Sequence, residues 1–178
     1  MKRVYFPWFI LLLSLTSWLH AASKEALNIE IRATIKQFDK EVKGGAEFLR
    51  KAQGYLVFPN VYKAGFGIGG EYGEGALLVH GKIVGYYNTV SASFGWQIGA
   101  QKKSIVIVFL TKQALDQFRH SDGWKIGADA SVAIAKWGVG EDVNTIDFKD
   151  PVVGFVFGNQ GLMYNLTLEG SKITKIDK

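Results

Sequence analysis

Cysteine is absent from the 178 residues, and histidine and proline occur only three times each. Without a thiol there is no disulfide framework, no CxxC redox pair, no cysteine-ligated zinc and no acylated cysteine to hold a lipoprotein anchor. His20, His80 and His120 show neither HxxxH nor HExxH spacing, so a histidine-built metal centre lacks its ligand pattern. Neither a GxxxxGK[ST] phosphate loop nor a GxSxG nucleophile elbow occurs, and Ser91 and Ser93 stand outside any such motif. What is abundant is glycine, 21 residues, in a chain that is otherwise ordinary: 48% apolar and 21% charged. A chain of this length buries roughly 70% of the surface its unfolded form exposes, enough for one domain without staples.

The first 22 residues read as a signal peptide ahead of a domain at 23–178. Lys2 and Arg3 form a basic start, Val4 to Leu15 an apolar run, and Leu19-His20-Ala21-Ala22-Ser23 a stretch where a peptidase could cut. An uncleaved anchor is the alternative, because Val4 to Ser23 is uncharged and just long enough to span a bilayer. Export is therefore expected, to the periplasm or beyond, with peripheral membrane association. Removing Lys2 and Arg3 takes the net charge from +5 to +3, which withdraws the global support for nucleic-acid binding.

After the leader the hydrophobic period is helical. Leu27, Ile31, Ile35, Phe38 and Val42 recur at three- and four-residue steps, Gly44-Gly45 interrupts them, and a short second helix follows with Ala46, Leu49 and Ala52 inward. Arg32, Lys36, Lys40 and Lys43 fall on the arc opposite the apolar stripe, with Arg50 close by in the second segment. Two readings stay open: an ordinary solvated surface, diluted by Asp39 and Glu47, or a ridge that meets anionic headgroups.

From Gly54 the period is two. Short strands are expected at Gly54 to Pro59 and around Ala64 to Gly73, where Ala64, Phe66, Ile68 and Tyr72 alternate with glycines. A bare glycine face implies close approach by another element or a ligand. His80-Gly81 is expected as a hairpin turn, Val90 to Ile98 as a half-buried strand, and Ser104 to Leu110 as a strand buried on both faces. Thr111 can cap a helix that turns Ala114, Leu115 and Phe118 inward and stops by Asp122-Gly123. Trp124 to Ile134 alternates again, and weaker strands follow at Val152 to Phe157, Gly161 to Leu168 and Ile173 to Ile176. Gly95-Trp-Gln-Ile-Gly-Ala100 is echoed at Gly123-Trp-Lys-Ile-Gly-Ala128, which suggests either two equivalent strands or merely two core tryptophans. The fold class is thus α+β, an antiparallel barrel-like or sandwich sheet core with N-terminal amphipathic helices.

Gly65-Phe-Gly-Ile-Gly-Gly70 spells GxGxxG, but the residues after it are poor helix formers, so the letters do not make a dinucleotide site. Glu71 and Glu74, three residues apart in a strand, point to opposite faces and do not form a carboxylate pair. No cofactor and no metal is implied, and the chain reads as a binding protein rather than an enzyme. Ser91, Ser93, Gln97, Lys125, Asp129 and Ser131 make a small polar face. If Gln97 and Asp129 are buried they need partners, through either an internal polar network or a ligand pocket involving Ser91 and Ser93.

Lys51-Ala-Gln-Gly-Tyr-Leu-Val-Phe-Pro59, Lys63-Ala-Gly-Phe-Gly-Ile-Gly-Gly70, Phe94-Gly-Trp-Gln-Ile-Gly-Ala-Gln101 and Ile126-Gly-Ala-Asp-Ala-Ser-Val-Ala133 together resemble the successive motifs of the SYLF domain, over about residues 27 to 170. That family includes a yeast actin-patch regulator and many exported bacterial proteins. The resemblance implies a lipid-binding domain, with phosphoinositide and other anionic lipid binding in eukaryotic members and actin binding in the yeast type. It makes the ridge Arg32, Lys36, Lys40 and Lys43 the candidate lipid-binding residues; Arg50, close by in the second segment, is read with them, and the nearby aromatics Tyr55, Phe58 and Tyr62 are expected to add apolar contact. The expected partner is an anionic phospholipid membrane, not nucleic acid, and no protein partner can be specified. The competing readings are an envelope interaction domain without lipid affinity and a small outer-membrane β-barrel.

Overall fold

The computed structural model describes residues 23–136, 150–160, 168 and 170–178, with backbone alone at 64–68, 93–100, 135–136 and 159–160. The expected leader at 1–22 lies outside the described residues.

Ser23 caps helix α1 (Lys24–Glu41), its Oγ accepting the Ala26 N–H at 3.2 Å. The apolar stripe is buried as its period predicts: Leu27, Ile31, Phe38 and Val42 are inaccessible, and Thr34 joins them. Phe38 carries most of this packing, edge-on to Phe155 with ring centroids 5.0 Å apart and 5.4 Å from Phe157. The helix stops where Val42 turns extended and Gly44 takes φ +81°. Helix α2 (Gly45–Lys51) is rotated from the expected orientation. Phe48 is its buried side chain, Leu49 and Ala52 are half-buried and Ala46 is exposed. The largest apolar group decides the rotation, because its ring meets Phe155 at 5.0 Å.

The expected short strands are joined into two very long ones. β1 (Gly54–Val79) and β2 (Lys82–Phe109), 26 and 28 residues, pair antiparallel from Gly54↔Phe109 to Val79↔Lys82. His80 (φ 50°) and Gly81 (φ 72°) form the turn between them, both in the left-handed region a two-residue hairpin of right-handed twist requires. Pro59, which cannot donate to a ladder, falls in the bulge between Phe58 and Val61, and its carbonyl accepts the Ser104 hydroxyl at 2.8 Å.

This ribbon curls over itself. Lys63 Nζ lies 3.6 Å from Glu71 Oε1, although a straight strand would hold those two positions about 26 Å apart. The bend centres on the glycine-rich segment, where Gly65 pairs Gly99, Gly67 pairs Gly95 and a further bulge separates Phe66 from Gly67. Beyond it, a Cβ on Gly73 would meet Val61 Cγ2 at 2.7 Å and the Asn60 carbonyl at 2.8 Å, and one on Gly75 would collide with the Val57 carbonyl. The element that approaches these glycines is the first half of their own strand.

β2 is the spine of the sheet. β6 (Lys172–Ile176) pairs its Tyr86–Val90 segment and β5 (Val152–Gln160) its Lys102–Phe109 segment; β4 (Ala133–Lys136) runs parallel to β5, and β3 (Trp124–Lys125) antiparallel to β6. The result is a curled, barrel-like sheet with helices, six strands among the described residues, and the α+β class holds. Residues 105–109 are buried on both faces. Ile105, Ile107 and Phe109 pack with helix α3 (Lys112–Arg119) through Leu115 and Phe118, whereas Val106 and Val108 pack with α1 and α2. Thr111 caps α3 by accepting the Ala114 N–H.

The run from Trp124 to Ile134 is not one strand. After Trp124 and Ile126, both buried, Gly127 takes φ +91°, the chain turns, and pairing resumes at Ala133. The echo of Gly95–Ala100 at Gly123–Ala128 is therefore not structural equivalence, since the first copy lies wholly inside β2 and the second spans β3 and a turn. Of the strand expected at 161–168, all but Leu168 lies outside the described residues.

Burial raises the phenols of Tyr55 and Tyr87 above their ordinary value; the Asp39 carboxylate adds to the rise at Tyr55, and Arg119 opposes it at Tyr87. The neutral forms are thus favoured by folding, so their contribution is complete below the unfolded value near 10 and is lost as pH rises through the folded values. The thermal midpoint should fall above about pH 10, and part of that fall should vanish in Tyr55→Phe/Tyr87→Phe. Scanning calorimetry from pH 7 to 11 checks this; an identical alkaline fall in the double variant would refute it.

Candidate functional site: the outer face of the first helix

Helix α1 has one flank committed to the core and one turned to water. Arg32, Lys36 and Lys40 follow at four-residue steps along the outer flank, about 6 Å of rise apart, and all three are exposed. Lys43 is exposed just past the helix end, and Arg50 is exposed in the last turn of α2. Ile29 is 70% exposed, and at 100° per residue it falls on the arc of Lys36 and Lys40. None of Arg32, Lys36, Lys40 and Lys43 forms an ion pair among the described residues.

Nearby carboxylates are partly occupied. Glu30 accepts the Asn60 amide at 2.9 Å, Glu41 accepts the Gln37 amide at 3.0 Å, and Glu47 pairs with Lys51 at 2.8 Å. The Lys51 hydrogen bond and charge hold the Glu47 carboxyl below its usual value. Asp39 is exposed and stays with the cations, as does Glu25 in the first turn.

The aromatic part of the expectation needs correction. Tyr62 is 55% exposed and Tyr55 half-buried, but Phe58 is wholly inside the core. Phe58 and Tyr62 would share a strand face if the alternation ran unbroken. The bulge at Pro59-Asn60 shifts its phase, so Phe58 and Val61 both turn inward and Tyr62 outward.

Among the described side chains of the polar face none is fully buried. Asp129 is exposed, and its Oδ2 accepts the Lys125 N–H at 2.6 Å, which with the Asp129 N–H to Lys125 carbonyl bond of 2.9 Å closes the turn after β3. It needs no internal network. Ser91 is half-buried, Lys125 and Ser131 are exposed, and the side chains of Ser93 and Gln97 lie outside the described residues.

A charged group escapes sequence reading altogether. Glu71 Oε2 lies 2.6 Å from Lys103 Nζ, with Lys63 on its other oxygen, and all three side chains are nearly closed to solvent. Glu74 instead binds Lys178 at 2.6 Å and accepts the Tyr72 hydroxyl at 2.9 Å. The two glutamates do serve opposite faces, as their spacing predicts, but only the curl of the ribbon supplies the lysines. Among the described residues, no group of three side chains is placed to hold a metal ion, and no helix is long and apolar enough to cross a membrane.

A curled sheet sealed by helices on both faces, with a basic helix flank turned to solvent, is the build of a binding domain. The chain belongs to the Ysc84 family, described as Las17-binding protein actin regulator, whose model matches residues 90–178, half of the chain. This is the family that the SYLF motifs indicate. The match begins inside β2 and takes in β5 and β6, which pair with that portion of β2, whereas its other ladder partner, β1, lies outside the matched range. No curated protein matches the chain.

Proposed function

We propose that the chain is an exported, non-enzymatic binding protein that docks on anionic phospholipid through the outer flank of α1. The observation that carries this is the exposure of Arg32, Lys36, Lys40 and Lys43, with Ile29 on the same flank, on a helix whose other flank packs into the core through Leu27, Ile31, Phe38 and Val42, with Ile35 half-buried. Such a face gives charge attraction together with a shallow apolar contact.

Each cation near an anionic surface is worth about 1 kcal/mol, so four contribute about 4 kcal/mol at low salt. Replacing Arg32, Lys36, Lys40 and Lys43 by glutamine should lower partition onto phosphatidylserine-containing vesicles by about 100-fold or more, and about 0.5 M salt should release the unaltered chain. Vesicle flotation reads both effects. Equal partition of the two proteins, or equal binding to neutral and anionic vesicles, would remove the electrostatic mechanism.

A protein partner is the second reading, favoured by the family's description as binding Las17 and regulating actin. It predicts capture of a protein with no change on altering the four cations. The barrel alternative is disfavoured because Ile105, Val106, Ile107, Val108 and Phe109 are all at most 3% exposed, leaving that stretch of β2 no face for lipid.

A further inference from the structure

The two halves of β1 touch at Gly73 and Gly75, where an added Cβ would stand 2.8 Å from the Asn60 carbonyl and would collide with the Val57 carbonyl. At Glu71 they are held apart by two whole side chains, since Lys63 Nζ and Glu71 Oε1 still lie 3.6 Å from each other. The walls of the ribbon therefore diverge towards the bend. Alternation puts Gly65, Gly67 and Gly69 on the strand face of Lys63 and Glu71, so that face carries side chains only at its two ends. Their ladder partners on β2 are Gly99, Gly95 and Ser93. The bulge there inserts two residues, Trp96 and Gln97, into β2 and so keeps the alternation in phase. Facing sheet layers are ordinarily about 10 Å apart and filled by side chains from both inner faces. Walls that spread and are then lined by glycine enclose a slot instead.

One end of the slot is charged. Glu71 shares its single carboxylate between Lys103, at 2.6 Å, and Lys63, so among the described residues the group holds one positive charge in surplus. Lys103 is the closer and deeper partner. Lys63 has three N–H donors, and its 3.6 Å contact occupies at most one of them. Ser91, the ladder partner of Glu71, is half-buried, and its hydroxyl has no hydrogen-bond partner among the described residues. A surplus charge nearly closed to water favours an anion of one charge, because a dianion would only exchange a buried positive surplus for a negative one. A carboxylate offers two acceptor oxygens, enough for the Lys63 ammonium and the Ser91 hydroxyl together, and an unbranched tail is slim enough for glycine walls.

We propose that the inner side of the bend is a binding slot for a small, unbranched organic acid with a single carboxylate, held at Lys63. The slot goes beyond the membrane reading and does not depend on it, since it lies between the layers of the ribbon and shares no residue with the α1 ridge. The ligand meets Lys63 at the rim and leaves the Glu71 pair with Lys103 intact. It also accounts for bare positions that the close approach at Gly73 and Gly75 does not explain, because Gly65, Gly67 and Gly69 come before that approach.

The test uses the full chain in chloride-free buffer, with butyrate as the probe and sulfate as the doubly charged comparison. Titration calorimetry with butyrate should show one site per chain, and the thermal midpoint should rise with butyrate until that site is full. Lys63→Gln removes the surplus charge and leaves Glu71 and Lys103 as a balanced pair, so it should fold and bind butyrate about tenfold more weakly or worse. Lys36→Gln/Lys40→Gln/Lys43→Gln alters only the ridge and should bind butyrate as the unaltered chain does. Absence of saturable butyrate binding, or equal affinity in Lys63→Gln, overturns the proposal. Sulfate bound as tightly as butyrate overturns it as well, because the anion would then be held by general attraction rather than by one surplus charge. That comparison needs only the unaltered chain, so it decides the matter even where Lys63→Gln fails to fold.

Discussion

Gly75→Ala is expected to destabilise the chain by about 4 kcal/mol and to move its cooperative unfolding transition to much lower urea. A Cβ at position 75 would collide with the Val57 carbonyl and stand 2.7 Å from Phe58 Cδ1. The first obstacle is backbone within a paired strand, so relief requires separating the two layers of the curled ribbon rather than turning a side chain. Overpacking ordinarily costs 1–3 kcal/mol, and a backbone collision belongs at or above the top of that range, about 4 kcal/mol here. That is a large share of the roughly 5–15 kcal/mol that holds a domain together. Gly70→Ala is the control, because the nearest atom to its added methyl is the Ser91 carbonyl at an ordinary 3.6 Å. It should shift stability by less than about 1 kcal/mol. Urea unfolding followed by tryptophan fluorescence and circular dichroism measures both. A Gly75→Ala protein as stable as the unaltered one would mean that the strand does not cross itself.

Glu71→Ala is expected to cost about 3–5 kcal/mol, because it strands two lysines that have little access to water. The side chains of Lys103 and Lys63 are only 7% and 13% exposed, and the single carboxylate between them compensates both. Raising salt to about 1 M should not reproduce the loss, since a screened pair has to be reachable by ions. Glu47→Ala offers the contrast. That pair with Lys51 is nearly half exposed, and its removal should leave the unfolding midpoint close to that of the unaltered chain. A double-mutant cycle with Glu71→Leu and Lys103→Met should return a coupling above about 1 kcal/mol. If Glu71→Ala unfolds within experimental error of the unaltered chain, the buried ion group is not a support of the curl.

Local features were legible from residue order. The α1 stripe, the Thr111 cap, the His80-Gly81 turn and the doubly buried run at 105–109 rest on periodicity and on conformations available to particular residues, and these act over a few positions. The errors arose where a distant contact outvoted the local signal. Phe48 overrode the expected rotation of α2 because Phe155 waits across the sheet. Phe58 left the surface because one bulge changed the phase of β1.

The same division holds for the candidate site. That Arg32, Lys36, Lys40 and Lys43 share one flank of a helix is fixed by their spacing and the 3.6-residue turn, so the ridge could be drawn before any fold was known. That Lys63 and Glu71 meet across the bend, and that Glu71 reaches Lys103, could not be drawn. Both depend on a glycine-rich ribbon bending back on itself and carrying residues far apart in the chain to one place. Residue order sets conformations within reach of a turn or a pleat; bringing distant charges together requires the closure of a whole sheet, which only packed tertiary structure determines.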